Sequence, residues 1–367
     1  MLSRARELPS RSIEFEIEKS QYRHSVPRNL AGHRTRQSDP YRRRYRHNPS
    51  EATAIPSHRV SLIGFLCPHN WTGHRKGRNR MKIGNAEVTR IEEYHGLGFP
   101  PQVFLPDWSD AAVEKHLHWM VPGHYSPDDG RLMGSIHSWL IRLPNLTVLV
   151  DTCSGNHKNR PDSPFFSMMN SRYIENLAAA GIDPDDVDIV FCTHLHIDHV
   201  GWNTRLVDGR WVPTFKNAKY IASRSEFERL VAEEAGLADN QHMIADTIQP
   251  IIGSDQWLLV DTPHHICDEL YIEESPGHTL RHCHLTLMSG GGKAVFTGDI
   301  VHHPIQIHFP SWNSGACAAP DLAAPTRLKV LESLSETGTW LMPVHFAKPF
   351  CCRVGKPEDG GFVCVME

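Results

Sequence analysis

No stretch of this 367-residue chain approaches the roughly 20 consecutive apolar residues that a bilayer crossing requires. The longest apolar run near the start, Val60 to Cys67, is too short, so no membrane association is expected. The chain has no CxxC pair, and its nine cysteines form an odd set scattered at positions 67, 153, 192, 267, 283, 317, 351, 352 and 364. That pattern argues against a disulfide framework and makes a reducing, cytoplasmic compartment the default expectation. Cys192 lies inside an apolar run and reads as a small buried hydrophobe. Internal repeats are lacking as well.

Acidic residues are scarce in one region only. Residues 1–80 hold 17 Lys and Arg against 6 Asp and Glu, whereas the rest of the chain holds 21 against 36. The first segment is rich in Arg, Pro, Ser and His, includes Tyr41-Arg42-Arg43-Arg44-Tyr45-Arg46, and shows no sustained hydrophobic period. Without apolar surface to offset ordering entropy it is expected to be a disordered extension. A nucleic-acid arm or a transit peptide would share this composition. The reading adopted is an extension without a role, since Met81 immediately precedes the first strand-like pattern, Lys82 to Glu93. The acidic remainder, 81–367, is expected to be one catalytic domain with no attraction to nucleic-acid phosphates.

From Met81 onward, short β-branched and aromatic runs alternate with helical patterns. Ile136 to Arg142 and Thr147 to Asp151 flank the turn Pro144-Asn145 and read as a hairpin. A helix is expected over Ser171 to Ala180, ending at Gly181, then a buried strand over Val187 to Thr193. Further strands are expected at Lys219 to Ala222, Trp257 to Asp261, Glu269 to Ile272, His282 to Met288, Ala294 to Thr297 and Trp340 to Val344. Helices are expected at Arg224 to Ala235, His242 to Ile252 and Pro325 to Leu334, the last with proline in its first turn. Hairpins followed by helix-linked strands predict a layered α/β sandwich.

The densest chemistry lies in Thr193-His194-Leu195-His196-Ile197-Asp198-His199, at the end of a predicted strand. In extended chain alternate residues share a side, so His194, His196 and Asp198 should converge while Leu195 and Ile197 pack behind. His199 would enter from the following turn. Imidazole suits zinc or iron, and a carboxylate suits a harder or second ion. Four ligand-type residues in six positions exceed what one tetrahedral ion needs from one loop, so two ions are expected.

His-x-His-x-Asp-His resembles the signature of the metallo-β-lactamase superfamily, and the other elements of that pattern follow in order. Ser275-Pro276-Gly277-His278-Thr279 resembles its Gly-His-Thr element, Thr297-Gly298-Asp299 its bridging aspartate, and Pro343-Val344-His345-Phe346 its closing histidine. The resemblance implies a four-layer αββα sandwich and two divalent ions, zinc foremost. It assigns His194, His196 and His278 to the first ion, Asp198, His199 and His345 to the second, and Asp299 to both. Asp151, in Val150-Asp151-Thr152, resembles an element that orients a ligand histidine, although Cys153 stands where glycine is usual. Ions about 3.5–4 Å apart would yield a bridging hydroxide at neutral pH. Asp198 would then pass a proton to the leaving group.

Gly298-Asp299-Ile300-Val301-His302-His303-Pro304 resembles the branch holding acyl-homoserine-lactone lactonases and methyl-parathion-type hydrolases. His302 stands where those lactonases often carry tyrosine and is expected to donate a hydrogen bond to the oxyanion or leaving group. Trp108, Trp119, Met120, Phe165, Phe166 and Trp202, with the helix at His242 to Ile252, are candidate pocket walls. The expected reaction is hydrolysis of a small-molecule ester, lactone or phosphotriester, by a chain that is a homodimer in one reading. The alternatives are a glyoxalase-II-like thioesterase and an iron-dependent oxidoreductase of the same fold. A flavodiiron site would replace His196 by a carboxylate, which argues for hydrolysis. A nucleic-acid processor is disfavoured by the acidic folded part.

Overall fold

Val148 and Val150 point to one side of their strand and Leu149 to the other, yet all three are buried. A strand buried on both faces is the inner layer of a stack, and the rest of the chain supplies the layers around it. The computed structural model describes residues 80–233, 238–358 and 360–366. The expectation of an unstructured extension over 1–80 lies outside these, apart from Arg80, which opens the first strand.

In chain order the strands begin with β1 (Arg80–Ile83), β2 (Ala86–Leu97), β3 (Tyr125–Ser126), β4 (Arg131–Leu143), β5 (Leu146–Val150) and β6 (Ile189–Phe191). A separate hairpin, β7 (Thr204–Val207) and β8 (Arg210–Pro213), precedes β9 (Lys219–Ser223) and β10 (Trp257–Val260). The first sheet runs β1-β2-β4-β5-β6-β9-β10, with β3 on β4. Its β5, β6, β9 and β10 are mutually parallel. The second sheet follows sequence order: β11 (His264–Cys267), β12 (Leu270–Glu274), β13 (Cys283–Ser289), β14 (Gly292–Gly298), β15 (Trp340–Pro343), β16 (Cys352–Gly355) and β17 (Val363–Val365). Only β14 and β15 pair in parallel there.

Three apolar clusters define the layers. Val88, Ile141, Val148 and Phe191 meet Leu270, Leu285, Phe296 and Met342 between the sheets. Leu140, Leu149, Val190 and Tyr220 face the opposite way, toward a helical layer. The helices in order are the single turns α1 (Pro101–Phe104), α2 (Asp110–Val113) and α3 (Leu117–Met120), then α4 (Tyr173–Ala179), α5 (Arg224–Glu233), α6 (Ala238–Met243), α7 (Gln249–Gly253), α8 (Ile305–His308) and α9 (Pro320–Leu334). Tyr173 and Leu177 of α4 join the cluster on the first sheet, while Val330, Leu331 and Leu334 of α9 join Val295 and Leu341 on the outer face of the second. The order is helix, sheet, sheet, helix, as the resemblance implies.

Several boundaries differ from the sequence reading. Lys82 to Glu93 is not one strand, because Gly84, at φ 59°, and Asn85 turn the chain into a hairpin. The last long helix begins at Pro320, which takes the first-turn position where a missing N–H costs nothing, and Pro325 lies inside it. The segment expected as one helix over His242 to Ile252 is α6, a π-helical turn at Ile244–Ile248, and α7. Among the described residues no helix is long and apolar enough to cross a membrane.

Arg327 of α9 is fully buried and ties the helix to the segment after β14. Its Nε donates to the Ile300 carbonyl at 2.7 Å, and its Nη1 to the Pro310 and Trp312 carbonyls at 2.7 and 3.0 Å. Arg327→Met leaves the Ile300 and Pro310 carbonyls without this donor, while Trp312 keeps Gln306 Nε2 at 2.9 Å. At about 1–3 kcal/mol for each buried group left unpaired, the variant should lose at least about 2 kcal/mol in urea unfolding; a loss below about 1 kcal/mol refutes this anchor.

Candidate metal centre

The site lies where strands end. Asp151 follows β5, His194 to His199 follow β6, Asp299 follows β14 and His345 follows β15, while His278 sits in the turn between β12 and β13. Gly298 permits the convergence. Its φ is 47°, and a Cβ there would lie 2.6 Å from Thr193 Oγ1 and 2.7 Å from His282 Nε2.

His194 and His196 converge as expected, with Nε2 and Nδ1 3.0 Å apart, but Asp198 does not join them. The chain turns there, closed by the His199 N–H donating to the His196 carbonyl at 3.1 Å. One group of ligand-type atoms is therefore His194, His196 and His278, and another is Asp198, His199 and His345, each set within 4.8 Å. Asp299 stands between them. Its Oδ2 lies 3.0 Å from His278 Nε2, and its Oδ1 lies 3.1 Å from His345 Nε2 and 3.3 Å from His199 Nε2.

Hydrogen bonds behind the rings set which nitrogen faces inward. Thr193 donates both its N–H and its hydroxyl to Asp151, so Oγ1 accepts from His194 Nδ1 at 3.0 Å and His194 Nε2 turns a lone pair to the centre. Asp151 also accepts from His199 Nδ1 at 3.0 Å, and the Ser135 carbonyl accepts from His345 Nδ1 at 3.0 Å. Convergent nitrogen lone pairs repel unless something electrophilic lies between them. Asp299 Oδ1 likewise is buried with no aligned donor, despite two ring nitrogens nearby. The donor set fits divalent ions on this observation.

Charge follows the same geometry. Burial disfavours the Asp299 carboxylate, yet His199, His345, His302 and His278 hold it well below the usual carboxylate range. Burial likewise opposes protonation of His199, but Asp299, Asp198 and Asp151 outweigh it and raise its pKa. His278 is carried up to about 9, with burial overcome by Asp299. His194 and His196 go far down, through burial and their histidine neighbours.

Asp151 and Cys153 both sit at left-handed backbone, φ 56° and 52°. Cys153 thus adopts the conformation glycine would supply without strain, and its thiol lies 3.4 Å from the Ser138 hydroxyl. Glu93, which the sequence did not single out, holds this loop. The buried carboxylate accepts from Ser154 N–H at 2.7 Å, Gly155 N–H at 3.0 Å and Trp202 Nε1 at 2.6 Å. His282 was also unmarked. Its Nε2 accepts the Asp299 N–H at 3.1 Å, while Nδ1 donates to Ser275 Oγ at 2.8 Å.

His302 Nε2 lies 3.1 Å from Asp299 Oδ2 and its buried Nδ1 has no partner. With His278 and Asp299 it forms a further group of ligand-type atoms within 4.8 Å. His303 is bound elsewhere, to the His124 carbonyl and the Ile305 N–H. Of the expected pocket walls, Trp108 and Met120 belong to a separate core cluster that Trp119 packs against, and Trp202 stacks on Tyr173 at 5.3 Å. Phe165 and Phe166 remain half-buried and meet Phe99, which stacks on Phe104 at 5.9 Å. Phe104 then meets His302 edge-on at 5.5 Å. The segment of α6, π turn and α7 packs Met243, Ile248 and Ile251 into the core, and its Asp246 accepts from Arg160 and Lys158.

The family model described as Metallo-beta-lactamase superfamily matches residues 131–340, more than half of the chain. N-acyl homoserine lactonase AiiB of Agrobacterium fabrum is 28% identical over 156 residues, 40% of this chain and 51% of that protein. A lactonase of the same name from Rhizobium rhizogenes is 27% identical over the same shares. The chain thus spans about half the length of these curated relatives. Among solved structures, the hydrolase AbOPH in the beta lactamase superfamily superposes with a TM-score of 0.67 at 22% identity, covering 78% of this chain and 96% of that one. AidC, described as a dizinc quorum-quenching lactonase, gives 0.61 at 20% with the same coverage. By the matched family model and the fold these structures share, this chain belongs to the metallo-beta-lactamase superfamily, whose fold implies divalent metal binding.

Proposed function

We propose that this chain hydrolyses the ester bond of a small lactone, using two divalent ions, zinc foremost. The observation that carries the reading is Asp299, whose two oxygens face different ligand groups and so suit a carboxylate shared by two ions. The curated relatives are named lactonases and one neighbour is named dizinc, which supports the same choice. Bound divalent ions would supply hydroxide near neutral pH and polarise the substrate oxygen.

The chain's own residues do the rest. Asp151 and Thr193 fix the outer nitrogens of His199 and His194, and Ser135 fixes that of His345. Asp198 Oδ2, 3.6 Å from His345 Nε2, is the carboxylate placed to carry a proton to the leaving group. Phe104 stacks on Phe99 and meets His302 edge-on, an apolar surface that suits the hydrocarbon portion of a substrate.

Hydrolysis of lactone, ester, thioester and phosphotriester panels by zinc-loaded protein tests the reading; turnover of thioesters alone, or oxygen uptake with bound iron, would displace it. Asp151→Asn should weaken zinc binding about 10–100-fold in chelator competition, because it removes a charged acceptor from His199 and Thr193. His302→Phe should lower kcat about 10–100-fold at unchanged Tm, with His302→Gln restoring part of it through a retained N–H. Equal kcat in all three proteins would make His302 a bystander.

A further inference from the structure

Glu226 of α5 is a carboxylate, 1% exposed, that reaches both loops carrying the first ligand group. Its Oε2 accepts the Thr279 hydroxyl at 3.0 Å, and its Oε1 accepts the Leu195 N–H at a longer 3.5 Å. Leu195 lies between His194 and His196, and Thr279 follows His278, so one side chain bonds the backbone or neighbour next to all three members of that group. A buried carboxylate is tolerated only where it is paired and hydrogen-bonded. Arg229, one turn on, donates to Oε1 at 3.0 Å, and the first turn of α5 favours negative charge through the helix dipole.

The His278 turn is gripped from the opposite side by α9 and its lead-in. Gly277, at φ 138°, lies so close to α9 that a Cβ there would meet Ala323 Cα at 2.2 Å. Thr326 Oγ1 donates to the Pro276 carbonyl at 2.7 Å, and the Ala318 and Ala319 N–H groups donate to the His278 and Gly277 carbonyls at 2.8 and 2.9 Å. These bonds hold the turn to its own half of the sandwich. Glu226 belongs to the other half, because α5 follows β9 of the first sheet and packs there through Phe227 and Leu230. The Cys283 N–H donates to the Thr193 carbonyl at 2.9 Å and joins the halves just before the ligands; the Glu226 bond to Thr279 joins them beside the ligands.

We propose that Glu226 is a positioning residue for the first ion, setting the His278 turn and the His194–His196 loop at the spacing that one ion requires. This rests on the reading of the site as one that holds two ions. A ligand set works only when it is held within about 0.5 Å of its geometry by the residues behind it. His194 and His345 have oxygen acceptors directly behind their rings, whereas the His278 Nδ1 meets only the Cys317 thiol, at 3.9 Å. The placing of His278 therefore falls to the backbone of its turn, where Glu226 acts. Removal of the carboxylate leaves α5 packed through Phe227 and Leu230, while the two loops lose their shared acceptor.

Chelator competition for zinc with the full chain, and zinc anomalous peaks in crystals grown at limiting zinc, test this together. Glu226→Ala should weaken the binding of one ion about 10-fold. The anomalous peak among His194, His196 and His278 should fall while that among Asp198, His199 and His345 is retained. Thr279→Val should act in the same direction, and Thr279→Ser, which keeps the hydroxyl, should restore most of the affinity. With Glu226→Ala in place, Thr279→Val should add little, because the two side chains act as a unit. Unchanged zinc affinity in Glu226→Ala, or peaks that fall equally at both positions, overturns the proposal. Should Glu226→Ala fail to fold, the Thr279 pair decides: equal zinc affinity in Thr279→Val and Thr279→Ser overturns it. An unaltered chain with a single peak displaces the two-ion reading; Glu226 keeps its role if that peak lies among His194, His196 and His278, and loses it otherwise.

Discussion

A carboxylate with almost no access to water, Asp299, stands within 3.3 Å of a ring nitrogen on each of His199, His278, His302 and His345. Burying such a charge is tolerable only among opposite charges or metal ions. That constraint organises the rest of the site. Gly298 allows the backbone close enough, His282 takes the Asp299 N–H, and Arg327 fixes the Ile300 carbonyl one residue further on. Behind the His194, His199 and His345 rings is an acceptor that decides which nitrogen carries the proton. Asp151 serves two of these at once, directly to His199 and through Thr193 to His194.

What sequence reveals here divides by range. His194, His196, Asp198 and His199 fall within six positions, so their nearness is dictated by chain geometry, and they were legible without a fold. His278, Asp299 and His345 were legible only through the resemblance, because their nearness depends on two sheets stacking. The β-branched run Thr147 to Asp151 beside Pro144-Asn145 marked the strand, and burial on both faces shows its place in the layers. Asp198 shows the limit of local reasoning. Read as extended chain it belonged with His194, but a turn closed by one backbone hydrogen bond sends it to His345.

Glu93 and His282 escaped notice for a physical reason. A Glu within a strand looks like any solvated carboxylate until Ser154, Gly155 and Trp202, all distant in sequence, are seen to donate to it. Phe99 and Phe104 lie in a proline-containing stretch without periodicity, so nothing marked them as a wall beside His302. The hairpin at Gly84-Asn85 and the helix start at Pro320 were legible by turn and first-turn rules, and were read past because the neighbouring hydrophobic pattern continued across them.

Each ligand group draws from both sheets: His194 and His196 come from the first and His278 from the second, and likewise Asp198 and His199 from the first and His345 from the second. The donors are therefore scattered in the unfolded chain and gather only when the two halves of the sandwich dock. An ion held there binds the native state almost exclusively, which makes it a rivet through the apolar interface as well as a reagent. A bound ion would then oppose the separation of the two sheets by its affinity for the docked state.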